Sequence, residues 1–262
     1  MTAAPPFVRL RERLVAGAPL VGTFIKLASL ESVDIAAGAG FDLVVIDAEH
    51  SQLDEGDVRR LIRHAAARGI PAMVRIPVVD SGAVGRMLEA GAAGFQLSTL
   101  RSVRERDALI AATRYAPDGA RSVSLAHPAA DYGAEPLVQY LERQRPGPVL
   151  VGQIETATTE DPLDRLLAGL DVAFIGSTDL SVDLGRPGQL GDPLVRARVD
   201  EVATVAAGLG VAFGVFAGSG EAVATLMKDH AARYVLVGSD VQLLRSGAST
   251  LVDGTRRVLL GS

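Results

Sequence analysis

The feature that most constrains the fold of this 262-residue chain is a set of eight short apolar segments rich in β-branched residues. The segments do not alternate polar with apolar residues, which is typical of strands buried on both faces of a parallel sheet. They fall near residues 21–26, 42–47, 71–76, 93–98, 148–155, 171–177, 211–216 and 233–239.

Alanine- and leucine-rich segments with helical spacing separate these apolar runs. Strand and helix therefore alternate along the chain, which predicts parallel strands joined by crossover helices. Eight such units without a Pro/Gly-rich linker predict an α/β protein with one closed (β/α)8 TIM barrel, a single domain over residues 1–262. A doubly wound open sheet is the alternative. The predicted helices cover residues 53–68, 81–90, 103–114, 193–209 and 220–230.

The segment of residues 115–147, between the fourth and fifth predicted strands, is longer than a simple crossover needs. We predict a long loop followed by a helix. Loops of this length within a compact domain are often lids or interface segments. Since such segments serve the active site in barrels, we expect this one on the face formed by the carboxyl ends of the strands.

Composition excludes several classes of protein. With 48% hydrophobic and 22% charged residues the chain is typical of a globular protein, and its apolar runs are too short to span a bilayer. A net charge of −5, no basic run and few aromatic residues argue against binding to nucleic acid. The N-terminus lacks the apolar core of a signal peptide and cysteine is absent, so we expect a cytoplasmic protein with small-molecule partners.

The segment VVIDAEH, residues 44–50, passes from an apolar run directly into two carboxylates and an imidazole. In a parallel barrel the carboxyl ends of the strands form the floor of the active site. A single polar residue there is most often a helix N-cap or a salt-bridge partner. Several strands share the feature, however, and this convergence predicts a functional site. The polar residues at predicted strand ends are Lys26, Asp47, Glu49, His50, Arg75, Gln153, Glu155 and Asp179.

Two of these residues form a candidate metal site. Glu155 and Asp179 follow adjacent strands, and two carboxylates facing one cavity repel unless a proton or a cation lies between them. Hard oxygen ligands without neighbouring Cys or His suit Mg²⁺, Mn²⁺ or Co²⁺, with the remaining positions left to water and substrate.

Three further side chains add chemistry to the same strand ends. Arg75 supplies a planar fork of donors for a carboxylate or a developing oxyanion; a salt bridge to Asp47 or Glu49 is the alternative. His50 suits proton transfer, for which histidine is the most common side chain, with a helix-capping role as its alternative. Lys26 could form a Schiff base with a ketone or, alternatively, a salt bridge at the barrel rim.

The segments GTFIKLAS, VVIDAEH, VGQIET and FIGSTDLS resemble the HpcH/HpaI family of metal-dependent pyruvate aldolases, and the similarity extends over nearly the whole chain. The resemblance implies a class II aldolase, a carbon–carbon lyase that joins a pyruvate enolate to an aldehyde or cleaves the resulting 4-hydroxy-2-oxo acid. It also implies a homohexamer, a trimer of dimers, whose subunits exchange a C-terminal helix.

The same resemblance implies a role for each site residue. Glu155 and Asp179 would bind the divalent metal ion. Arg75 and His50 would be catalytic, with Asp47 orienting His50. The residues that would bind the pyruvate unit are Gln153, Gly176, Ser177 and Thr178.

Two departures from the family pattern lie near this site. Members usually carry a Val-Pro pair after the fourth strand, where this chain reads QLST at residues 96–99, and they usually carry proline where this chain has Ser177. These changes leave Arg75 and the predicted metal ligands in place but alter the pocket floor. The alternatives are therefore decarboxylation or another C–C bond formation on a metal-bound oxo acid, or an oxo-acid-binding barrel without turnover.

Overall fold

The computed structural model describes residues 5–218 and 230–260 as a closed barrel of eight parallel strands. The strands are arranged in chain order and the eighth pairs with the first, so the predicted (β/α)8 barrel is confirmed and the open sheet is excluded. Each strand lies within two residues of its predicted bounds. The strands are β1 (Leu20–Ile25), β2 (Leu43–Asp47), β3 (Ala72–Ile76), β4 (Gly94–Leu97), β5 (Val149–Ile154), β6 (Val172–Ile175), β7 (Ala212–Ala217) and β8 (Tyr234–Ser239).

Helices follow the strands as predicted. Those predicted at 53–68, 81–90, 103–114 and 193–209 are present with bounds shifted by at most two residues, whereas the helix predicted at 220–230 lies outside the described residues except for His230. No helix within residues 5–218 or 230–260 combines the length and apolarity needed to cross a membrane. The helices are α1 (Pro6–Val15), α2 (Leu30–Ala39), α3 (Glu55–Ala67), α4 (Ser81–Ala90), α5 (Val103–Thr113), α6 (Leu137–Gln144), α7 (Leu163–Leu167), α8 (Ser177–Asp183), α9 (Pro193–Leu209) and α10 (Asp240–Leu260).

Some polar residues that follow strands serve only to start helices. The side chains of Asp54, Asp80 and Ser102 accept hydrogen bonds from backbone N–H groups in the first turns of α3, α4 and α5. These side chains satisfy N–H groups that have no partner within the helix. Asp47 and Glu155 also stand at the ends of strands but cap none of these helices. Their role must therefore lie at the mouth of the barrel.

The barrel interior is filled by apolar side chains and is closed at the amino ends of the strands. Val45, Met73 and Phe174 belong to this interior cluster, together with Leu10 and Leu14 of α1, which covers that end of the barrel. A second apolar layer lies between the strands and the surrounding helices. Because the interior is packed and α1 covers the amino end, polar chemistry is expected at the carboxyl end of the barrel.

The structure corrects the expected position of residues 115–147. This segment contains a 3₁₀ helix (Pro128–Gly133) and α6, so the prediction of a loop followed by a helix is confirmed. However, residues 128–131 lie beside residues 69–71 and 90–92, which precede β3 and β4. They therefore lie at the amino ends of the strands, opposite the predicted site. The reason is topological. β4 ends at the carboxyl end of the barrel and α5 runs back to the amino end, so the segment between α5 and β5 begins at the amino end.

The close approach of β4 to β5 generates a testable prediction. A Cβ atom on Gly94 would lie 2.0 Å from the carbonyl oxygen of Val149, and backbone cannot move away cheaply. We expect Gly94→Ala to reduce the free energy of unfolding by about 3 kcal/mol or more, as overpacked cores do. Gly38→Ala in α2, where a Cβ atom meets nothing within 4 Å, should instead stabilise by about 0.5–1 kcal/mol. Urea unfolding measures both, and equal effects would contradict the prediction.

Candidate active site

A cavity of about 290 Å³ opens at the carboxyl ends of the strands. Its wall contains several residues proposed from the sequence, namely Arg75, Gln153, Gly176, Ser177, Thr178 and Asp179. Lys26 and three aromatic or polar neighbours, Phe24, Phe216 and Gln242, complete much of the remaining wall. The structure therefore brings together six of the nine residues predicted for the site, while Asp47, Glu155 and His50 lie around this wall.

The polar wall arises from the period-two pattern of the strands. Alternate residues of a strand point to the same face, so each inward-facing row passes from apolar core to cavity. At the cavity the row ends in a charged residue, an amide or a glycine. These rows are Leu43, Val45 and Asp47 in β2; Met73 and Arg75 in β3; Val149, Val151 and Gln153 in β5; and Val172 and Phe174 in β6, continued by Gly176 directly after the strand.

Arg75 is held in place by a buried, bidentate ion pair with Asp47. The two residues are register partners in β3 and β2, with Nε 2.9 Å from Oδ1 and Nη2 2.6 Å from Oδ2. Lys26 Nζ lies 3.1 Å from Oδ2 of the same carboxylate, and the guanidinium lies over the ring of Phe24, 4.5 Å from its centroid. Burial by itself would raise the pKa of Asp47, but the hydrogen bonds and charge of Arg75 outweigh it and lower the pKa to about 2. The guanidinium is thereby fixed at the cavity wall.

The loop after β2 differs from the expectation for His50. Asp47 Oδ1 accepts hydrogen bonds from the backbone N–H groups of Glu49 and His50, so it fixes the loop backbone and not the imidazole. The ring is 60% exposed, and its Nε2 lies 3.8 Å from Oε2 of Glu49. The cause is that the Asp47 carboxylate points inward to two cations, while the ring points outward. His50 therefore stands at the rim of the site.

Glu155 is buried at the end of β5 and is held by neutral donors. Its Oε1 accepts from the Thr99 backbone N–H at 2.8 Å and from the Thr99 hydroxyl at 2.5 Å, and its Oε2 accepts from the Gln153 amide. Burial raises the pKa of Glu155, the nearby charges of Asp179 and Glu49 raise it further, and these hydrogen bonds only partly oppose the shift. A carboxylate in this setting lacks the countercharge that Asp47 has.

Gly176 lets the chain after β6 pass directly over this carboxylate. A Cβ atom at residue 176 would lie 2.4 Å from Oε2 of Glu155 and 3.0 Å from Nε2 of Gln153. Only glycine allows this close approach. The next residues, Ser177 and Thr178, begin α8, whose first turn carries Asp179.

The donor set at this point fits a hard divalent cation. Asp179 is exposed at the cavity wall and its charge raises the pKa of Glu155, so two carboxylates of different burial lie close enough to interact. Within the described part of the chain no group of three or more acidic, His or Cys side chains forms a fuller metal cluster. The pair could hold an ion through oxygen ligands and leave other positions to water and substrate.

Several contributors to the site were not assigned a role from the sequence. Thr99 and Ser98 hold the carboxylates of Glu155 and Glu49, and Gln96 donates to Gln153. In the sequence, the signal that pointed to these residues was the departure from the Val-Pro pattern at residues 96–99.

Lys26 forms a salt bridge, which was one of the two alternatives considered for it from the sequence. A lysine that acts as a nucleophile is typically desolvated in an apolar pocket or lies beside another cation, whereas this one is the partner of a buried carboxylate.

The buried pair generates a prediction about acid stability. Since the pKa of Asp47 is lower in the folded chain than in the unfolded one, its ionised form stabilises the fold by about 2 kcal/mol at neutral pH. This contribution is lost as pH falls from about 4 towards 2. Asp47→Asn should therefore destabilise by about 3–5 kcal/mol at pH 7, because two cations lose their partner, and by clearly less at pH 3.

A matched control exists on the surface, where Arg86 binds Glu55 with the same bidentate geometry but is largely exposed. Glu55→Gln should cost less than about 1 kcal/mol. Urea unfolding of both variants at pH 7 and pH 3 measures these effects. If Asp47→Asn costs no more than Glu55→Gln, the ion pair does not have the importance that its burial indicates.

Comparison with known proteins gives the family. Residues 20–247 match the family described as HpcH/HpaI aldolase/citrate lyase. A hydroxypyruvate/pyruvate aldolase of Paraburkholderia phytofirmans is 32% identical over 253 residues, which cover 93% of this chain and 96% of the relative. A 5-keto-4-deoxy-D-glucarate aldolase of Enterobacter sp. is 30% identical, with 95% of this chain and 97% of the relative covered.

A solved structure supports the same conclusion from the fold. The crystal structure of an HpcH/HpaI aldolase from Desulfitobacterium hafniense DCB-2 superposes with a TM-score of 0.87 at 28% identity, covering 94% of this chain and 96% of the other. The match includes nearly the full length of both chains. The chain therefore belongs to the HpcH/HpaI aldolase/citrate lyase family of carbon–carbon lyases.

Proposed function

We propose that this protein is a metal-dependent pyruvate aldolase that cleaves or forms 4-hydroxy-2-oxo acids, with pyruvate and an aldehyde as the two parts. The proposal rests on one arrangement: a fixed guanidinium and the Asp179 carboxylate line the same cavity, and the buried Glu155 carboxylate, which has no countercharge, lies beside that wall. The names of the relatives, which are aldolases acting on oxo acids, favour this reaction over decarboxylation and over binding without turnover.

Glu155 and Asp179 would hold the divalent ion, and Mg²⁺, Mn²⁺ or Co²⁺ suits their oxygen ligands. When bound, such an ion supplies Lewis acidity towards an oxo acid. The two carboxylates have different tasks: Glu155 is buried and fixed by hydrogen bonds, whereas Asp179 is exposed at the start of α8. This difference lets one ligand define the position and leaves the other accessible from solvent.

Arg75 would bind the oxygen atoms on which negative charge develops during carbon–carbon cleavage. Its guanidinium is already oriented by Asp47, so little reorganisation is needed when charge appears. Gly176, Ser177 and Thr178 line the other side of the cavity, and since the Gly176 N–H donates to the Ile154 carbonyl, the backbone N–H groups of Ser177 and Thr178 would bind the pyruvate carboxylate. Gln153 Nε2 donates one proton to Glu155 and has a second for substrate.

His50 would move the proton of the hydroxyl group at C4 of the substrate. It lies at the solvent-facing rim, 3.8 Å from Glu49, on a loop whose backbone is fixed by Asp47. A ring in this place can exchange its proton with water between turnovers. Asp47 would then contribute indirectly, because it fixes the position of Arg75 and of the loop that carries His50.

The proposed setting is the cytoplasm, with small oxo acids and aldehydes as partners. We also propose a homohexamer built as a trimer of dimers, in which α10 is the assembly element. No residue of α10 is buried within the chain. Its apolar side chains Leu244, Leu251, Val258 and Leu259 are between 67% and 83% exposed. Apolar side chains this exposed along one helix are typical of a surface that is covered by another subunit.

The metal proposal predicts loss of activity on chelation. Protein treated with EDTA should release no pyruvate from a 4-hydroxy-2-oxo acid, and added Mn²⁺ should restore release. Glu155→Gln should lower Mn²⁺ affinity at least 100-fold because a buried ligand loses its charge, whereas Glu201→Gln, on the exposed surface of α9, should not change it. Full activity after chelation, or a borohydride-trapped pyruvate adduct on Lys26, would favour the Schiff-base alternative.

The proton-transfer proposal predicts that His50→Ala loses roughly 10²–10⁴ in turnover, the usual contribution of a positioned acid–base group. Mn²⁺ affinity, measured by calorimetry, should stay unchanged because the imidazole is not proposed as a ligand. His64→Ala, which breaks a surface contact with Asp34, is the matched control and should retain full turnover. A loss of metal binding in the His50 variant would mean that the imidazole binds the ion instead.

A further inference from the structure

Two consecutive hydroxyl groups at the end of β4 bind two different carboxylates of the site. Ser98 Oγ lies 2.7 Å from Oε1 of Glu49, and Thr99 Oγ1 lies 2.5 Å from Oε1 of Glu155. The Thr99 backbone N–H donates to the same Glu155 oxygen at 2.8 Å. One oxygen of Glu155 is thus held by a single residue through two donors.

The other oxygen of Glu155 is held by a chain of amides. Gln153 Nε2 donates to Oε2, and Gln153 Oε1 accepts from Gln96 Nε2 at 2.6 Å. Because an ionised carboxylate only accepts, Gln153 must turn its nitrogen towards Glu155 and its oxygen towards Gln96. Every one of these donors is neutral. They fix the direction of the carboxylate without cancelling its charge, which a bound cation can then do.

Thr99 has a backbone conformation that a β-branched residue rarely adopts. Its φ is +47°, in the left-handed region, where the Cβ atom crowds the following carbonyl group. The neighbours on both sides are fixed: Ser98 N–H donates to the Ile76 carbonyl of β3, and Leu100 N–H donates to the Gln153 carbonyl of β5. The chain therefore changes its strand partner across Thr99, and this turn directs the Thr99 N–H and hydroxyl to Glu155.

Strained backbone of this kind persists where the surroundings determine it, and it is common at functional sites. A glycine would make the same turn without strain, but it would lack the hydroxyl donor. The combination of an unfavourable φ with two hydrogen bonds to one buried carboxylate oxygen indicates that the hydroxyl itself matters at this position.

We propose that Thr99 is a positioning residue that orients Glu155 for binding of the divalent cation, with the Gln96–Gln153 pair fixing the second oxygen. The inference rests on the proposed function, because it assumes that Glu155 is a metal ligand. Hydrogen-bond partners of ligands commonly change metal affinity by 10–100-fold when removed. We expect a loss of metal affinity in the same range when the hydroxyl of Thr99 is removed.

The test is calorimetric titration of chelator-treated protein with Mn²⁺ alone, combined with thermal unfolding of each variant. Thr99→Val removes the hydroxyl and keeps the shape, and it should weaken Mn²⁺ binding about 10-fold or more. Thr99→Ser retains the donor and should stay within about threefold of the unmodified protein. Thr99→Gly removes both the hydroxyl and the strain, so it should bind Mn²⁺ as weakly as the valine variant while unfolding at an equal or higher temperature.

Thr113→Val is the control, since it makes the same change of hydroxyl to methyl at a threonine whose hydroxyl donates only to carbonyl groups of α5. It should leave Mn²⁺ affinity unchanged. If the glycine variant is folded and binds Mn²⁺ as tightly as the unmodified protein while Glu155→Gln does not bind, the metal site stands and the role of Thr99 is overturned. If Glu155→Gln binds Mn²⁺ normally, the metal assignment fails and this inference fails with it.

Discussion

Closure of the eight-stranded sheet is the constraint on which the rest of the structure depends. Pairing of β8 with β1 leaves no strand edge, and the enclosed space is filled by side chains such as Val45, Met73 and Phe174. Charged side chains would be costly within that layer. Inward-facing charged residues are therefore confined to positions near the carboxyl ends of the strands, where Asp47 and Arg75 pair with one another.

Two buried carboxylates at the mouth of the barrel have opposite electrostatic environments. Asp47 is paired with Arg75 and Lys26, and the pairing lowers its pKa to about 2 even though burial acts in the other direction. Glu155 is held by Thr99 and Gln153, and burial raises its pKa. The first arrangement produces a rigid cationic wall. The second leaves the Glu155 carboxylate at a defined position without a countercharge, which a bound cation would supply in the proposed function.

The two sides of the barrel mouth also differ in what they would contribute to the proposed function. The paired side, Asp47 with Arg75, would provide a fixed cation for the oxygen atoms of an oxo acid. The residues that differ from the family pattern, at 96–99 and at Ser177, lie beside the unpaired side. Differences there change how the carboxylate of Glu155 is held and the shape of the pocket floor, while the cationic wall is retained.

The sequence by itself determined the eight strands, the order of the helices, the family and the set of polar strand ends, because period, length and short motifs are local properties of the chain. The tertiary structure decided what pairs with what. Register placed Asp47 beside Arg75, the antiparallel return of α5 placed residues 115–147 at the opposite end, and inward pairing of Asp47 left the His50 ring at the rim. The left-handed turn at Thr99 depends on hydrogen bonds to β3 and β5 at once, and no local pattern records contacts made across 20 to 50 residues of sequence.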